Sequence, residues 1–309
     1  MSLPCMSGMP EVSIIIVNYN TLELTSNCID SIFRWTQGVT FEVIVVDNGS
    51  LDGSITVLSC DKRIRFIPLH ENVGFGRANN RGMDEAYGKY FFLLNSDTLL
   101  FNNAVKLFLD FMESRPELNI GALGCRLIGN DGRHVLSFGN FPSERAILRD
   151  VILRLLLRQD AASQVPDMPD EPVFRVDYVT GAGLFIRRSV VETYGGFDPD
   201  FFMYYEDTEW QYRMAKSGHG RYVIDTPEIV HLGGGSSAPD GRKLGKPSMA
   251  FKIMVQRSQF LYMRKTRTRL RYLLFRAAYA IVMLPAVFYS PTYCRRERMK
   301  FFKILFSRV

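Results

Sequence analysis

Short apolar runs alternate with stretches of helical periodicity over the first 130 residues. "VSIIIV" (12–17) carries no charge and predicts a strand buried on both faces, while "TLELTSNCIDSIFRW" sets Leu24, Cys28, Ile29, Ile32 and Phe33 on one side of a helix. "FEVIVVD" (41–47) and "IRFIPL" (64–69) predict a second and third strand, and "GRANNRGMDEAYG" a helix leading into a fourth, "KYFFLLN". Strands that alternate with helices imply a doubly wound, Rossmann-like and mostly parallel sheet with helices on both faces. Between 131 and 175 the pattern weakens. "ILRDVILRLLLR" reads as an amphipathic helix and "QVPDMPDEP" as a loop, before "FRVDYVTGAGLFIRR" returns to strand. "YYEDTEWQYRMAKSG" predicts a helix ending at Gly218, and "RYVIDTPEIVHLGGG" a last strand running into glycines.

"YFFLLNSDTLLF" (90–101) interrupts this pattern with a carboxylate, because Asp97 follows one apolar run and leads into another. An ionised Asp is almost never fully buried without a partner, so Asp97 is expected where a strand ends, the place at which α/β sheets bind ligands. Asp47, after the second strand, falls at the same edge. Taken alone, each Asp also fits a turn former or helix cap. His231 alone also fits a structural role, and Glu206 and Asp207 also fit first-turn acids that complement a helix dipole. "VTGAG" (179–183), with Gly181 and Ala182, offers small residues where backbone can approach a ligand closely, or marks a bulge.

Composition adds a charge split. The chain has 309 residues, 47% hydrophobic and 23% charged, enough for one large domain with an appendage. Residues 241–309 hold 17 Lys and Arg against one acid, Glu297, leaving 21 basic and 31 acidic residues before them. So one-sided a tail suits a polyanionic partner, and its mixture of Arg with Leu, Phe and Tyr suits an anionic membrane surface better than nucleic acid. The uncharged run from Ala277 to Pro291, about 15 residues interrupted by Pro285, falls short of the roughly 20 that span a bilayer. A helical appendage packed on the body is the other reading of the same segment. Five cysteines without CxxC spacing suggest neither disulfide framework nor zinc site, and "MSLPCMSGMPE" lacks a basic start followed by an apolar core. A cytoplasmic chain, peripheral on the inner face of the cell membrane, is expected.

In order, "VSIIIVNYN", "VIVVDNGSLDGS", "ENVGFGRANNRG", "FFLLNSDTLL", "YVTGAGLFIRR", "GGFDPDFFMYYEDTEWQYRMAKSG" and "IVHLGGGS" resemble the motifs of family 2 inverting glycosyltransferases, in the rhamnosyltransferase-like branch. The resemblance covers roughly residues 11–240. It implies a glycosyltransferase-A fold over residues 1–240, with 241–309 as a basic helical extension. It also implies a nucleotide-sugar donor and a glycan or polyprenyl-linked acceptor, in bacterial surface polysaccharide synthesis. By the same resemblance Asn18, Tyr19, Asn20 and Asp47 line the nucleotide base and ribose, and Asn72, Gly74 and Asn79 border the nucleotide. Asp97 matches the second carboxylate of the family's Asp-x-Asp metal motif, whose first Asp is Asn95 here, leaving one charge fewer. His231 matches a residue that completes the metal site, and Asp207 matches the catalytic base. Glu206, about 100° away around the helix, points elsewhere and is grouped with the substrate-binding residues.

The chemistry needs these residue types. A divalent cation stabilises the departing diphosphate; Mg²⁺ takes one or two carboxylates plus substrate phosphates, and Mn²⁺ accepts an imidazole more readily. A carboxylate general base takes the acceptor's proton. Two other readings stand at this point. A sugar-phosphate nucleotidyltransferase shares the α/β half, but "NYNTLEL" has neither the Gly-rich loop nor the basic residue for a triphosphate. A non-catalytic nucleotide-sugar or glycan-binding module is compatible with Asn95 in place of Asp.

Overall fold

A computed structural model describes residues 8–157, 169–233, 249–289 and 295–306. The order along the chain is β1 (Val12–Asn18), α1 (Leu22–Trp35), β2 (Phe41–Asp47), α2 (Ser54–Leu58), β3 (Arg65–Pro68), α3 (Phe75–Asp84), β4 (Tyr90–Asn95), β5 (Thr98–Leu100) and α4 (Ala104–Ser114). Then come β6 (Ile120–Ile128), β7 (Phe138–Gly139), α5 (Glu144–Leu157), β8 (Val173–Arg175), β9 (Tyr178–Val179), β10 (Gly183–Arg187), α6 (Arg188–Tyr194), α7 (Glu206–Lys216) and β11 (Gly220–His231). Three helices follow: α8 (Met249–Thr266), α9 (Arg269–Tyr289) and α10 (Arg295–Phe306).

The strands form one mixed sheet in the order β3-β2-β1-β4-β10-β6-β11-β5, with β8 also on β11 and a separate β7-β9 pair. From β3 to β4 all pairing is parallel, and β6 and β11 run the same way; β10, β5 and β8 run against them. The predicted strands are present, and the antiparallel insertion of β10 between β4 and β6 makes the sheet mixed while keeping it mostly parallel.

The uninterrupted apolar runs follow from burial on both faces. Val12, Ile14 and Ile16 of β1, with Tyr90, Phe92 and Leu94 of β4, meet Cys28, Ile29 and Ile32 of α1 and Phe108 and Met112 of α4. Alternate residues, Ile15, Phe91 and Leu93, face Ala78 and Met83 of α3 and Trp210 and Met214 of α7. Leu24 and Phe33, placed on the buried side of α1 by periodicity, are only partly buried.

A third cluster joins the C-terminal helices to the body, packing Phe260, Tyr262, Phe275 and Tyr279 with Ile147 of α5 and Phe201 before α7. The domain boundary expected at 240 lies in residues 234–248, outside the described residues, and the helices beyond it share this core with the body. "QVPDMPDEP" lies largely outside the described residues too. Cys28 and Cys125 are buried thiols and Cys60 is an exposed one, with no disulfide among the described residues.

Phe185 in β10 has no exposed surface and stacks on Tyr90 and Phe108 at ring separations of 5.3 and 5.5 Å. Phe185→Ala is expected to cost about 3–5 kcal/mol, read as a lower urea midpoint at unchanged slope.

Candidate active site

The parallel ladder sets Asn18 at the end of β1 beside Asp47 at the end of β2. Asn18 is fully buried. Its Nδ2 donates to Asp47 Oδ2 (2.6 Å) and Ser50 Oγ (3.1 Å), and its Oδ1 accepts from the hydroxyls of Thr21 (2.9 Å) and Thr25 (2.7 Å). Asp47, also without exposed surface, accepts the Ser50 amide at 2.9 Å. These two residues brace the turn, while the half-buried Tyr19 and Asn20 are what it presents to solvent. Asn20 sits at φ 54, a left-handed conformation that Asn tolerates, and its Oδ1 accepts the Leu51 amide at 2.7 Å.

The neighbouring loop is tied in by amides. Asn72 Oδ1 accepts from Asn48 Nδ2 and the Gly74 amide, both at 3.0 Å. Gly74 has φ +92 and lies against the Phe202 backbone, where a Cβ would collide. Asn79 is buried on α3 and donates to the Phe75 carbonyl, 3.1 Å away. Of the expected nucleotide set, Tyr19, Asn20 and Asn72 reach solvent, whereas Asn18, Asp47 and Asn79 frame the loops behind them.

Asp97 lies in the turn between β4 and β5. Because β5 pairs antiparallel with β11, Thr98 stands opposite His231, and His231 Nε2 comes to 3.2 Å from Asp97 Oδ1. The Leu232 amide donates to the Asp97 carbonyl (2.9 Å), fixing the turn on the last residues of β11. Asn95 Nδ2 lies 3.5 Å from the same imidazole nitrogen. The Asp97 side chain is 9% exposed and that of His231 21%, so the carboxylate is nearly buried and the imidazole is the part of the pair that reaches solvent. The described residues contain no group of three His, Cys, Asp or Glu able to enclose a metal. One carboxylate and one imidazole leave the remaining positions to phosphate and water, which fits Mg²⁺ or Mn²⁺ held jointly with a diphosphate.

The two turns are linked: the Thr21 hydroxyl that meets Asn18 also lies 3.1 Å from Ser96 Oγ. Asn95 in turn donates its amide to Ala182, whose carbonyl is 3.1 Å away. Next to Ala182, the Gly181 amide donates to Asp207 Oδ2 at 3.0 Å. A side chain at Gly181 would strike the Phe75 ring, so glycine lets the start of α3 approach this closely. The structure thus brings Asp97, His231, Asn95, Gly181, Ala182 and Asp207 to one end of the sheet.

Asp207 opens α7. Its Oδ1 accepts the Thr208 amide (2.6 Å) and hydroxyl (3.1 Å). Glu206, beside it, is buried, and its Oε2 has no hydrogen-bond partner among the described residues. Burial pushes the Glu206 carboxyl up to about 8, and the neighbouring Asp207 charge adds to the rise. Burial raises Asp207 as well, against the Gly181 and Thr208 bonds, which favour its ionised form. With three donors on Asp207 and none on Glu206 Oε2, the shared negative charge sits on Asp207 and the proton on Glu206.

Sequence reasoning missed the support beneath this helix. Tyr204 and Tyr205 take φ 68 and φ 66, successive left-handed non-glycine residues of the strained kind that persist only when their surroundings hold them. The hold comes from α8. Ser258 Oγ donates to the Met203 carbonyl (2.7 Å), Gln259 Nε2 donates to Tyr205 Oη (2.8 Å), and Lys265 Nζ pairs with Asp198 (2.6 Å) and Asp200 (2.7 Å). Nothing local in "QRSQFLYMRK" signals this role, since the partners are more than 50 residues away.

Residues 13–164 match the glycosyl transferase family 2 domain. The chain is 28% identical over 203 residues to an N-acetylglucosaminyl-diphospho-decaprenol L-rhamnosyltransferase of Mycobacterium tuberculosis, covering 61% of this chain and 66% of that one. It is 34% identical over 140 residues to the succinoglycan biosynthesis protein ExoO of Rhizobium meliloti, covering 45% of this chain and 40% of that protein. A glycosyltransferase of Rickettsia bellii is 41% identical over 106 residues, 33% of this chain and 15% of the relative. The chain therefore spans less than two thirds of the length of these relatives.

The Glu206 proton makes stability depend on pH. Folding raises its pKa from 4.5 to about 8, so its contribution is fully present below 4.5 and is lost as pH rises through about 8. Glu206→Gln, which keeps the shape and cannot ionise, is expected to flatten the fall of melting temperature across that window. Parallel curves for the two proteins would place the proton elsewhere.

Proposed function

We propose that the chain, whose residues 13–164 match glycosyl transferase family 2, moves a sugar from a nucleoside diphosphate donor to a glycan or polyprenyl-linked acceptor, inverting C1. The setting we propose is the synthesis of a bacterial surface polysaccharide, in keeping with the names of the mycobacterial and rhizobial relatives. One observation carries the reading. A metal-capable pair, Asp97 with His231, and a separately supported carboxylate, Asp207, sit at the same end of the sheet, joined through Asn95–Ala182 and Gly181–Asp207.

In this mechanism Tyr19, Asn20 and Asn72 meet the nucleotide, and Asp97 with His231 would hold a divalent cation. The cation, when bound, neutralises charge on the leaving group. Asp207 takes the proton from the acceptor hydroxyl as the acceptor oxygen bonds to C1. The bond from C1 to the diphosphate oxygen breaks, and its electron pair leaves with the nucleoside diphosphate. A single displacement needs no second carboxylate as nucleophile. Burial raises both carboxyls of the pair, and the Gly181 and Thr208 donors favour the charge on Asp207, the carboxylate that takes the role of base. A binding-only module has no use for such a carboxylate beside the diphosphate end.

We place the protein at the inner face of the cell membrane as a peripheral protein, within reach of a lipid-linked acceptor. No helix among the described residues is long and apolar enough to cross a membrane. The basic C-terminal helices supply attraction to anionic lipid instead.

Asp97→Asn is expected to abolish Mn²⁺-dependent binding of nucleoside diphosphate in calorimetry while leaving the melting curve in place; unchanged affinity would remove Asp97 from the metal site. Asp207→Asn should lower kcat by about 10²-fold or more with little change in nucleotide affinity. An equal loss of donor binding would give Asp207 a structural role.

A further inference from the structure

The C-terminal helices divide their work, and only part of their apolar surface is spent on the body. α8 is consumed by the Tyr204–Tyr205 turn and the third core cluster. α9 buries Tyr272, Phe275 and Tyr279 on one side, yet it carries a second apolar face pointing outward. Leu270, Leu273, Leu274, Ala277 and Ile281 are all exposed, with Leu270, Leu274 and Ile281 at 67%, 62% and 69%. At about 100° per residue these five fall within an arc of about 100°, a continuous stripe along the helix. Arg269 and Arg271, both exposed, fall on its two edges.

The helices packed against α9 repeat the pattern. α5 exposes Ile152 and Leu153, and α10 exposes Met299, Lys303 and Phe306, which share one face at i, i+4 and i+7. On α5, Glu144 pairs with Arg267 (3.3 Å) and with the edge residue Arg271 (2.8 Å), and Asp150 pairs with Arg149 (3.3 Å), so of the two edge arginines Arg271 shares its charge with an acid of the body.

We propose that the outward face of α9, extended by α10 and the end of α5, is a docking surface for an anionic phospholipid bilayer. This deepens the membrane placement above and rests on it. An apolar stripe edged by arginines on both sides matches the boundary between acyl chains and charged headgroups, where Leu and Ile enter and Arg meets phosphate. Charge complementarity selects the occupant. A second copy of the chain would set a segment with 17 basic residues and one acid against its like. A nucleic acid would answer the charge and leave the leucines in water. α8, which packs on α9, also holds the turn before Asp207, so the docking face lies one helix away from the active site.

The test is sedimentation of the full chain with vesicles of phosphatidylcholine alone or mixed with phosphatidylglycerol, with no donor present. Binding should appear with phosphatidylglycerol. It should weaken as sodium chloride rises from about 0.1 M to about 1 M, which shortens the Debye length from about 10 Å to about 3 Å. A variant combining Leu270→Gln, Leu274→Gln and Ile281→Gln should lose at least about tenfold in binding at an unchanged melting temperature. If that variant does not fold, Arg269→Gln alone should weaken binding about fivefold. Wild-type protein that ignores anionic vesicles, or variants that bind like wild type, would overturn the proposal. So would a dimer that the triple variant dissolves, or binding to RNA at the same salt in preference to vesicles. Donor hydrolysis without vesicle binding would sink the docking face alone, and vesicle binding without any donor turnover would sink the transferase reading alone.

Discussion

Covering the sheet on both faces confines its polar chemistry to the carboxyl ends of the strands. Ile14–Val17 of β1, Val43–Val46 of β2 and Tyr90–Leu94 of β4 are unbroken apolar stretches covered on both faces, so a carboxylate or amide within them would be desolvated without water to answer it. The polar residues Asn18, Asp47 and Asn95 therefore stand as the last residues of their strands, and Asp97 in the turn just beyond. Even there the burial is heavy, and the hydrogen bonds follow from it. Asn18 uses both of its donors and accepts two hydroxyls because a fully buried amide left short of partners is costly.

Those obligatory bonds make the site one unit. Thr21 meets both Asn18 and Ser96, Asn95 is tied to Ala182, and Gly181 is tied to Asp207, so each turn is positioned by the next. The antiparallel pairing of β5 with β11 adds His231, a residue 134 positions after Asp97 in the chain. Behind Asp207 the left-handed Tyr204 and Tyr205 cost free energy that only tertiary contacts offset, and α8 supplies them. The extension is accordingly part of the structural support of the site, whatever else its remaining surface does.

Electrostatics separates the two adjacent carboxyls of α7 by environment. The same burial raises both, yet the Gly181 amide and the Thr208 amide and hydroxyl stabilise one anion and leave the other without it. The charge of the pair is thereby favoured on Asp207, the carboxyl that the Gly181 and Thr208 donors face. The basic tail shows a similar division: Lys265 and Arg267 pair with acids of the body, while Arg269 and Lys303 lie on the exposed faces.

What was legible in the sequence was everything governed by local pattern. Double-sided burial writes itself as unbroken runs such as "VSIIIV" and "YFFLLN", helices write themselves in a period near 3.6, and ordered motifs carry a family resemblance. Asp97 after its apolar run marked a strand end because no other place suits a carboxylate there. The tertiary structure alone decided which residues of a motif face solvent: Asn18, Asp47 and Asn79 turn inward as braces, and Tyr19, Asn20 and Asn72 outward. It alone decided that β10 runs antiparallel between β4 and β6, that Glu206 keeps the proton, and that α8 supports the turn before Asp207. Each of these depends on partners tens of residues apart, and periodicity, which reads only a residue's own neighbours, carries no record of such pairings.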